Sequence, residues 1–222
     1  MQANQLTAMF EKRDKKKHNI SELGEFGLID HLTANRKYVQ PSTVQGVGDD
    51  TAVIDSGEHY TLLTKDLLLE GVHFDMTYYP LKHLGYKAIT VNLSDIYAMN
   101  GTPRQVIVGL SISSRFPLEA IEELYKGMYL ACEKYGVDLV GGDTTSSLRG
   151  LFLSVTAVGT VEKDKVTYRG PALDGDLVCV SGDLGGAYAG LLVLEREKSV
   201  FKANPNMQPD LAGHDYILER QL

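Results

Sequence analysis

Gly46-Val47-Gly48-Asp49-Asp50-Thr51-Ala52 decides how this chain is read. Two glycines permit a tight turn and a close approach of the backbone to a ligand. Two adjacent carboxylates follow, and Ala52-Val53-Ile54 leads away as a short strand. Side chains alternate along an extended segment, so only one of Asp49 and Asp50 is expected to serve a given site. Three further acidic positions lie downstream in similar settings: Thr64-Lys65-Asp66, Asn92-Leu93-Ser94-Asp95 and Gly141-Gly142-Asp143-Thr144-Thr145. The expectation is that these carboxylates converge on divalent metal and, through it, on the phosphates of a nucleotide.

Local patterning places each of them on an element. Asp55-Ser56-Gly57-Glu58 is a turn signal, and His59–Leu69 returns as a hairpin partner. On that strand Thr64 and Asp66 share a face while Lys65 points the other way, and Gly71-Val72-His73-Phe74 follows near its end. Ser21 reads as the N-cap of a helix reaching about Arg36. Pro80 or Leu81 begins a longer helix to about Met99, with Lys87, Thr90 and Ser94 as its polar stripe. Asp95 lies off that stripe, beside Ala88, Asn92 and Met99. A carboxylate there needs a partner. A helix N-terminus, an arginine such as Arg104, or a cation would each serve.

Gln105–Ser113 alternates as a half-buried strand, and Pro117 opens the next helix, ended by Gly136. Its core stripe contains Leu124, Tyr125, Met128 and Cys132, so Tyr125 is by default a packing residue. Asp138-Leu139-Val140 reads as a short buried strand with Gly141-Gly142-Asp143 at its end, where α/β folds gather ligands. Leu151–Val161 is a further strand, and Arg169 sits in a loop, either clamping a phosphate or solvated. Leu177–Ser181 reads as a strand opening a second domain. The turn Gly182–Gly186 matches neither the P-loop nor the dinucleotide fingerprint and leads into a helix, Ala187–Glu197. Asp215–Leu222 starts another helix. The fold class is α/β, divided as a leader 1–20, an N-terminal domain 21–162 and the start of a second α/β domain 163–222.

At 222 residues the chain can bury a sizeable core, and its 43% hydrophobic and 23% charged residues are ordinary for a soluble α/β protein. The net charge of -7 argues against nonspecific binding to nucleic acid. It leaves nucleotides open, because bound Mg²⁺ reverses the local field. Cys132 and Cys179 read as reduced core residues of a cytoplasmic protein. The polar segment Met1–Asn19 reads as a solvated leader, not a signal peptide, and no run reaches the length of a membrane span. Two carboxylates 4 Å apart repel by about 4 kcal/mol at an effective dielectric of 20, so a cluster of them needs cations. Oxygen ligands without a Cys or His cluster favour Mg²⁺ over zinc. Dispersed aspartates with glycine turns suit phosphoryl transfer, where positioning and charge neutralisation dominate.

Five stretches occur in one order: Glu22-Leu23-Gly24-Glu25-Phe26-Gly27-Leu28-Ile29; Gly46–Asp50; Asp66 with Gly71–Phe74; Tyr86-Lys87-Ala88 with Val91–Asp95; and Gly141–Thr145. Together they resemble the thiamine-monophosphate kinases, of the superfamily that includes aminoimidazole ribonucleotide synthetase and selenophosphate synthetase. The resemblance implies ATP-dependent phosphorylation of thiamine monophosphate with several Mg²⁺ ions. It implies a mixed, largely antiparallel sheet with flanking helices that forms a shared barrel in a homodimer. Carried over by position, Asp50, Thr64, Asp66, Asp95 and Asp143 match metal ligands, and Asp66, Asp95 and Asp143 the catalytic carboxylates. Lys65 falls at a metal-contacting position where the family has a small hydroxyl residue, so it would contribute only its backbone carbonyl. Gly142, Asp143, Arg169 and Tyr125 match ATP contacts, and His73 a thiamine-phosphate contact. The family's later Ser-Asp-Gly and Gly-Gly-Glu-Asp motifs are absent, so the chain resembles the first two thirds of such a protein. Sister synthetases and a noncatalytic nucleotide-binding or dimerisation module are the competing readings.

Overall fold

The computed structural model describes residues 19–222, so nearly all of the expected 1–20 leader lies outside the described residues. The described residues form two compact units, 19–40 and 41–222. In the first, a 3-10 turn Ile20–Glu22 precedes helix α1, Gly24–Thr33. Ser21 is not the cap expected for it. Asn19 caps the 3-10 turn by accepting the Ser21 N–H at 3.2 Å, and Ser21 lies inside the turn. The helix ends at Thr33, short of Arg36, because the backbone N–H and guanidinium of Arg36 close over the Thr33 carbonyl.

The second unit is built on six strands: β1 Thr43–Gln45, β2 Ala52–Asp55, β3 Tyr60–Leu69, β4 Thr102–Ile112, β5 Asp138–Ser146 and β6 Leu151–Val161. Their order in the sheet is β1-β2-β3-β6-β4-β5. The β2–β3 hairpin forms as its turn signal predicts, and β6 inserts between β3 and β4. Among the described strands only β4 and β5 run parallel, because the helix between them, Leu118–Tyr135, supplies the crossover that parallel strands need.

Helices α2 Leu81–Ala98 and α3 Leu118–Tyr135 cover one face of the sheet, with bounds close to those the caps and periodicity predict. Alternate residues of three strands (Leu62 and Leu68; Val106, Val108 and Leu110; Leu153, Val155 and Ala157) are buried with Leu84, Ile89, Leu93 and Ile96 of α2 and Leu124 and Met128 of α3. The two helices touch at reciprocal glycines. A Cβ on Gly85 would stand 1.9 Å from the Leu124 carbonyl oxygen, and one on Gly127 would stand 1.8 Å from that of Lys82. The other rows of the sheet leave Leu63, Leu67 and Ile107 exposed.

Two expectations fail. β5 is neither short nor buried: it pairs with β4 as far as Ser146, and Gly141–Asp143 lies along the strand instead of at its end. It is an edge strand with one neighbour, so its ladder continues for as long as β4 runs beside it. Leu177–Ser181 forms no strand, and Leu177, Val178 and Cys179 are exposed, because no described strand lies beside them to complete a ladder. Only Cys132 is the buried thiol expected of both cysteines. Helix α4 Gly186–Ala203 packs on α5 Asp215–Gln221. It is tied to the loop after β3 by Lys198–Asp75 at 2.9 Å and by the Tyr78 hydroxyl, which donates to Glu195 at 2.7 Å. Among the described residues no helix is long and apolar enough to cross a membrane.

Candidate functional site

Thr64, Asp66, Asp95 and Asp50 meet where β3 passes under the second half of α2. The alternation of β3 turns Thr64 and Asp66 toward the helix and leaves Lys65 exposed on the opposite side. Asp95 has neither a helix N-terminus nor Arg104 as its partner. Arg104 donates to Thr160, while the Thr64 hydroxyl donates to Asp95 Oδ2 at 2.6 Å. One helical turn earlier, fully buried Asn92 accepts the Asp66 backbone N–H at 3.0 Å and donates to the Ala88 carbonyl at 3.0 Å. Asn92 therefore fixes the strand at the residue that carries the carboxylate. Its one sequence signal was its place on the helix face of Asp95, three residues away.

The glycine-aspartate turn is held from the other side. Thr51 donates both its backbone N–H and its hydroxyl to the Met99 sulfur, at 3.2 and 3.0 Å, tying the turn to the end of α2. Asp50 pairs with the Arg169 guanidinium. Asp49 accepts the Asp50 N–H at 2.9 Å and the Arg169 backbone N–H at 3.1 Å. Both aspartates thus serve one loop, by different means. As expected, only one of the pair serves the acidic cluster: the charge of Asp50 acts on Asp95, while Asp49 turns back onto the main chain.

Repulsion and burial act on this cluster together. Burial pushes the Asp95 carboxyl above its ordinary value, the Thr64 hydroxyl opposes that, and the charges of Asp66 and Asp50 add to the rise. Burial also raises Asp66, against the opposing charge of His73. An oxygen-only set whose members resist ionising together is chemistry that a hard divalent cation relieves, so the residues fit Mg²⁺. Among the described residues, however, no group of three or more His, Cys, Asp or Glu is already arranged around a metal position.

The remaining expected residues stand apart. The sheet register sets Asp143 opposite Gly109, in the row of Ser154 and Leu67, which is not the row of Thr64 and Asp66. Three strand spacings separate it from Asp66, about 14 Å. Gly142 is required by the sheet itself, since a Cβ there would stand 1.9 Å from the Val108 carbonyl oxygen. His73 Nδ1 accepts the Leu69 N–H at 3.0 Å, and the ring lines a cavity of about 290 Å³ with Phe74, Tyr78 and Lys198. Tyr125 is half-buried on α3, its ring 6.0 Å from that of Tyr129.

The AIR synthase related protein N-terminal domain matches residues 48–161, which contain Asp50, Thr64, Asp66, Asp95 and Asp143. The chain belongs to that family. Among curated relatives, it is 35% identical over 200 residues to the thiamine-monophosphate kinase of Bacillus subtilis (strain 168). It is 39% identical over 183 residues to that of Aquifex aeolicus (strain VF5). These alignments take in 89% and 82% of this chain but 59% and 56% of those relatives, so the chain spans little more than half their length. Among solved structures it resembles AaThiL complexed with AMPPCP and TMP, with a TM-score of 0.73 and 35% identity, covering 93% of this chain and 65% of that one. The tt0281 protein of Thermus thermophilus, at 24% identity and a TM-score of 0.74, shares the fold.

Proposed function

We propose that this chain carries the ATP- and Mg²⁺-binding part of a thiamine-monophosphate kinase acting in the cytoplasm. The observation that carries the reading is the convergence of Asp50, Thr64, Asp66 and Asp95 at the β3–α2 junction. The two thiamine-monophosphate kinases above and the AaThiL complex with an ATP analogue and TMP support it. In the reaction, the γ-phosphoryl group of ATP passes in line to a phosphate oxygen of thiamine monophosphate, giving ADP and thiamine diphosphate. Bound Mg²⁺ would neutralise charge on the transferring phosphates. Asp66 and Asp95 would hold it, oriented by Asn92 and Thr64, and Asp50 would join them while Arg169 turns to ATP. Lys65 would contribute its backbone carbonyl. Two oxygens on one Mg²⁺ stand within about 4 Å of each other. Asp143, some three strands away, would therefore hold a different ion beside Gly142, in keeping with several metals per site. Tyr125 would contact the nucleotide and His73 thiamine monophosphate.

The same reading includes a homodimer closed through the open sheet face, and a domain boundary at 162/163, beside the end of the family match at residue 161. Calorimetry with ATP and Mg²⁺, run beside an assay for thiamine diphosphate, tests it. Binding that requires Mg²⁺ and disappears in Asp95→Asn is the expected result. Metal-dependent binding without turnover would favour the noncatalytic module, and ATP binding that survives both Asp66→Asn and Asp95→Asn would refute the metal assignment.

A further inference from the structure

A second cavity, of about 670 Å³, opens between α2 and the α4–α5 pair. Its side chains are more basic than acidic, in contrast to the acidic cluster. Lys82, His83 and Lys87 enter it from α2 and Arg220 from α5, while Glu219 is its one carboxylate side chain. Two of these groups are engaged: Arg220 pairs with Asp183 at 3.2 Å, and His83 Nδ1 donates to the Leu222 carbonyl at 3.1 Å. Lys87 is not. It is half-buried and makes no ion pair among the described residues, and its ammonium stands 5.1 Å from the centre of the Tyr79 ring. Burial pushes its pKa down. A half-buried ammonium with no ion pair among the described residues, inside a chain of net charge -7, leaves an electrostatic demand that an incoming anion meets.

The rest of the lining narrows the ligand. Tyr79 and Tyr86 give the cavity an aromatic wall, and Thr90 adds a hydroxyl. The volume lies in the range of small-molecule sites, roughly 300–1,000 Å³. We propose that this cavity is a binding site for a phosphate-bearing small molecule, separate from the acidic cluster, with Lys87 as its central cation and Lys82 at its mouth. Because the site supplies its own positive charge, it takes phosphate without a divalent metal. That separates it from the proposed Mg²⁺ site.

The test is calorimetric titration of the 222-residue protein with pyrophosphate in EDTA, at low ionic strength. Saturable binding at about millimolar concentration or tighter is expected. Lys87→Gln weakens it by roughly tenfold or more, Lys87→Arg retains it, and Asp95→Asn leaves it unchanged. Lys82→Gln, at an exposed position, provides the same comparison should Lys87→Gln fail to fold. The proposal is overturned by an absence of binding, by Lys87→Gln or Lys82→Gln binding as tightly as the unmodified chain, or by loss of binding in a folded Asp95→Asn.

Discussion

Asp75 and Asp95 show how far surroundings separate two residues of one type. Both lose water. At Asp95 burial and neighbouring carboxylates win, and its pKa rises. At Asp75 burial is outweighed by the Thr77 hydroxyl, Lys198 and the Thr77 backbone N–H, which hold the carboxyl at about 2. A depressed carboxyl contributes stability above its unfolded value of 3.8, and that contribution fades as the pH falls from there through about 2. Asp75 is largely screened by solvent, so the contribution is about 1 kcal/mol. Asp75→Asn is therefore expected to lower Tm by roughly 3 °C at pH 7. Calorimetric melts across the pH range should show that difference shrinking as the pH falls below 3.8 and vanishing only below about pH 2. The candidate site was legible at this scale where one residue's local pattern sufficed: Thr64 and Asp66 share the face that strand alternation assigns them. The partner of Asp95 was not legible, because Thr64 lies 31 positions away.

Among the elements, the α2–α3 contact sets the geometry of the site most directly. α2 carries Asn92 and Asp95, and its distance from the sheet and from α3 depends on Gly85 and Gly127 meeting the opposite backbone without a Cβ. No rotamer relieves a Cβ placed 1.8 Å from a main-chain oxygen, so the helices themselves must separate. Gly127→Ala should destabilise the protein by about 1–3 kcal/mol, read as a lower urea midpoint at an unchanged slope. It should also weaken Mg²⁺-dependent ATP binding, although residue 127 touches none of the proposed ligands. Helix bounds were readable in sequence here because caps and apolar periodicity are local. The close crossing was not, since neither glycine signals its partner on the other helix.

For the whole molecule, the sheet has one face covered by α2 and α3 and another on which Leu63, Leu67 and Ile107 stand exposed. The proposed homodimer would bury this second face. Sedimentation equilibrium should then give a dimer, and Leu67→Glu, which sets a carboxylate into that apolar surface, should give a monomer that remains folded by circular dichroism. A monomer before substitution would remove the dimer from the functional reading. The cationic cavity belongs to this scale as well. α2 contributes Lys82 and Lys87 and α5 contributes Arg220, so it exists only where distant segments pack together.

What the sequence determined by itself was whatever depends on neighbours a few positions away. It set the hairpin after Ile54, the two sides of β3 and β4, the strand Leu151–Val161, the long helices after Pro80 and Pro117, and the oxygen-rich character of the site. Tertiary structure alone decided the rest. It made β5 an exposed edge strand and denied Leu177–Ser181 a ladder. It gave Asp49 to the Arg169 backbone, 120 positions away, and set Asp143 on another row of the sheet from Asp66. The physical reason is that strand pairing and ion pairing are contacts between residues remote in sequence, and no local preference of the chain records which remote partner will arrive.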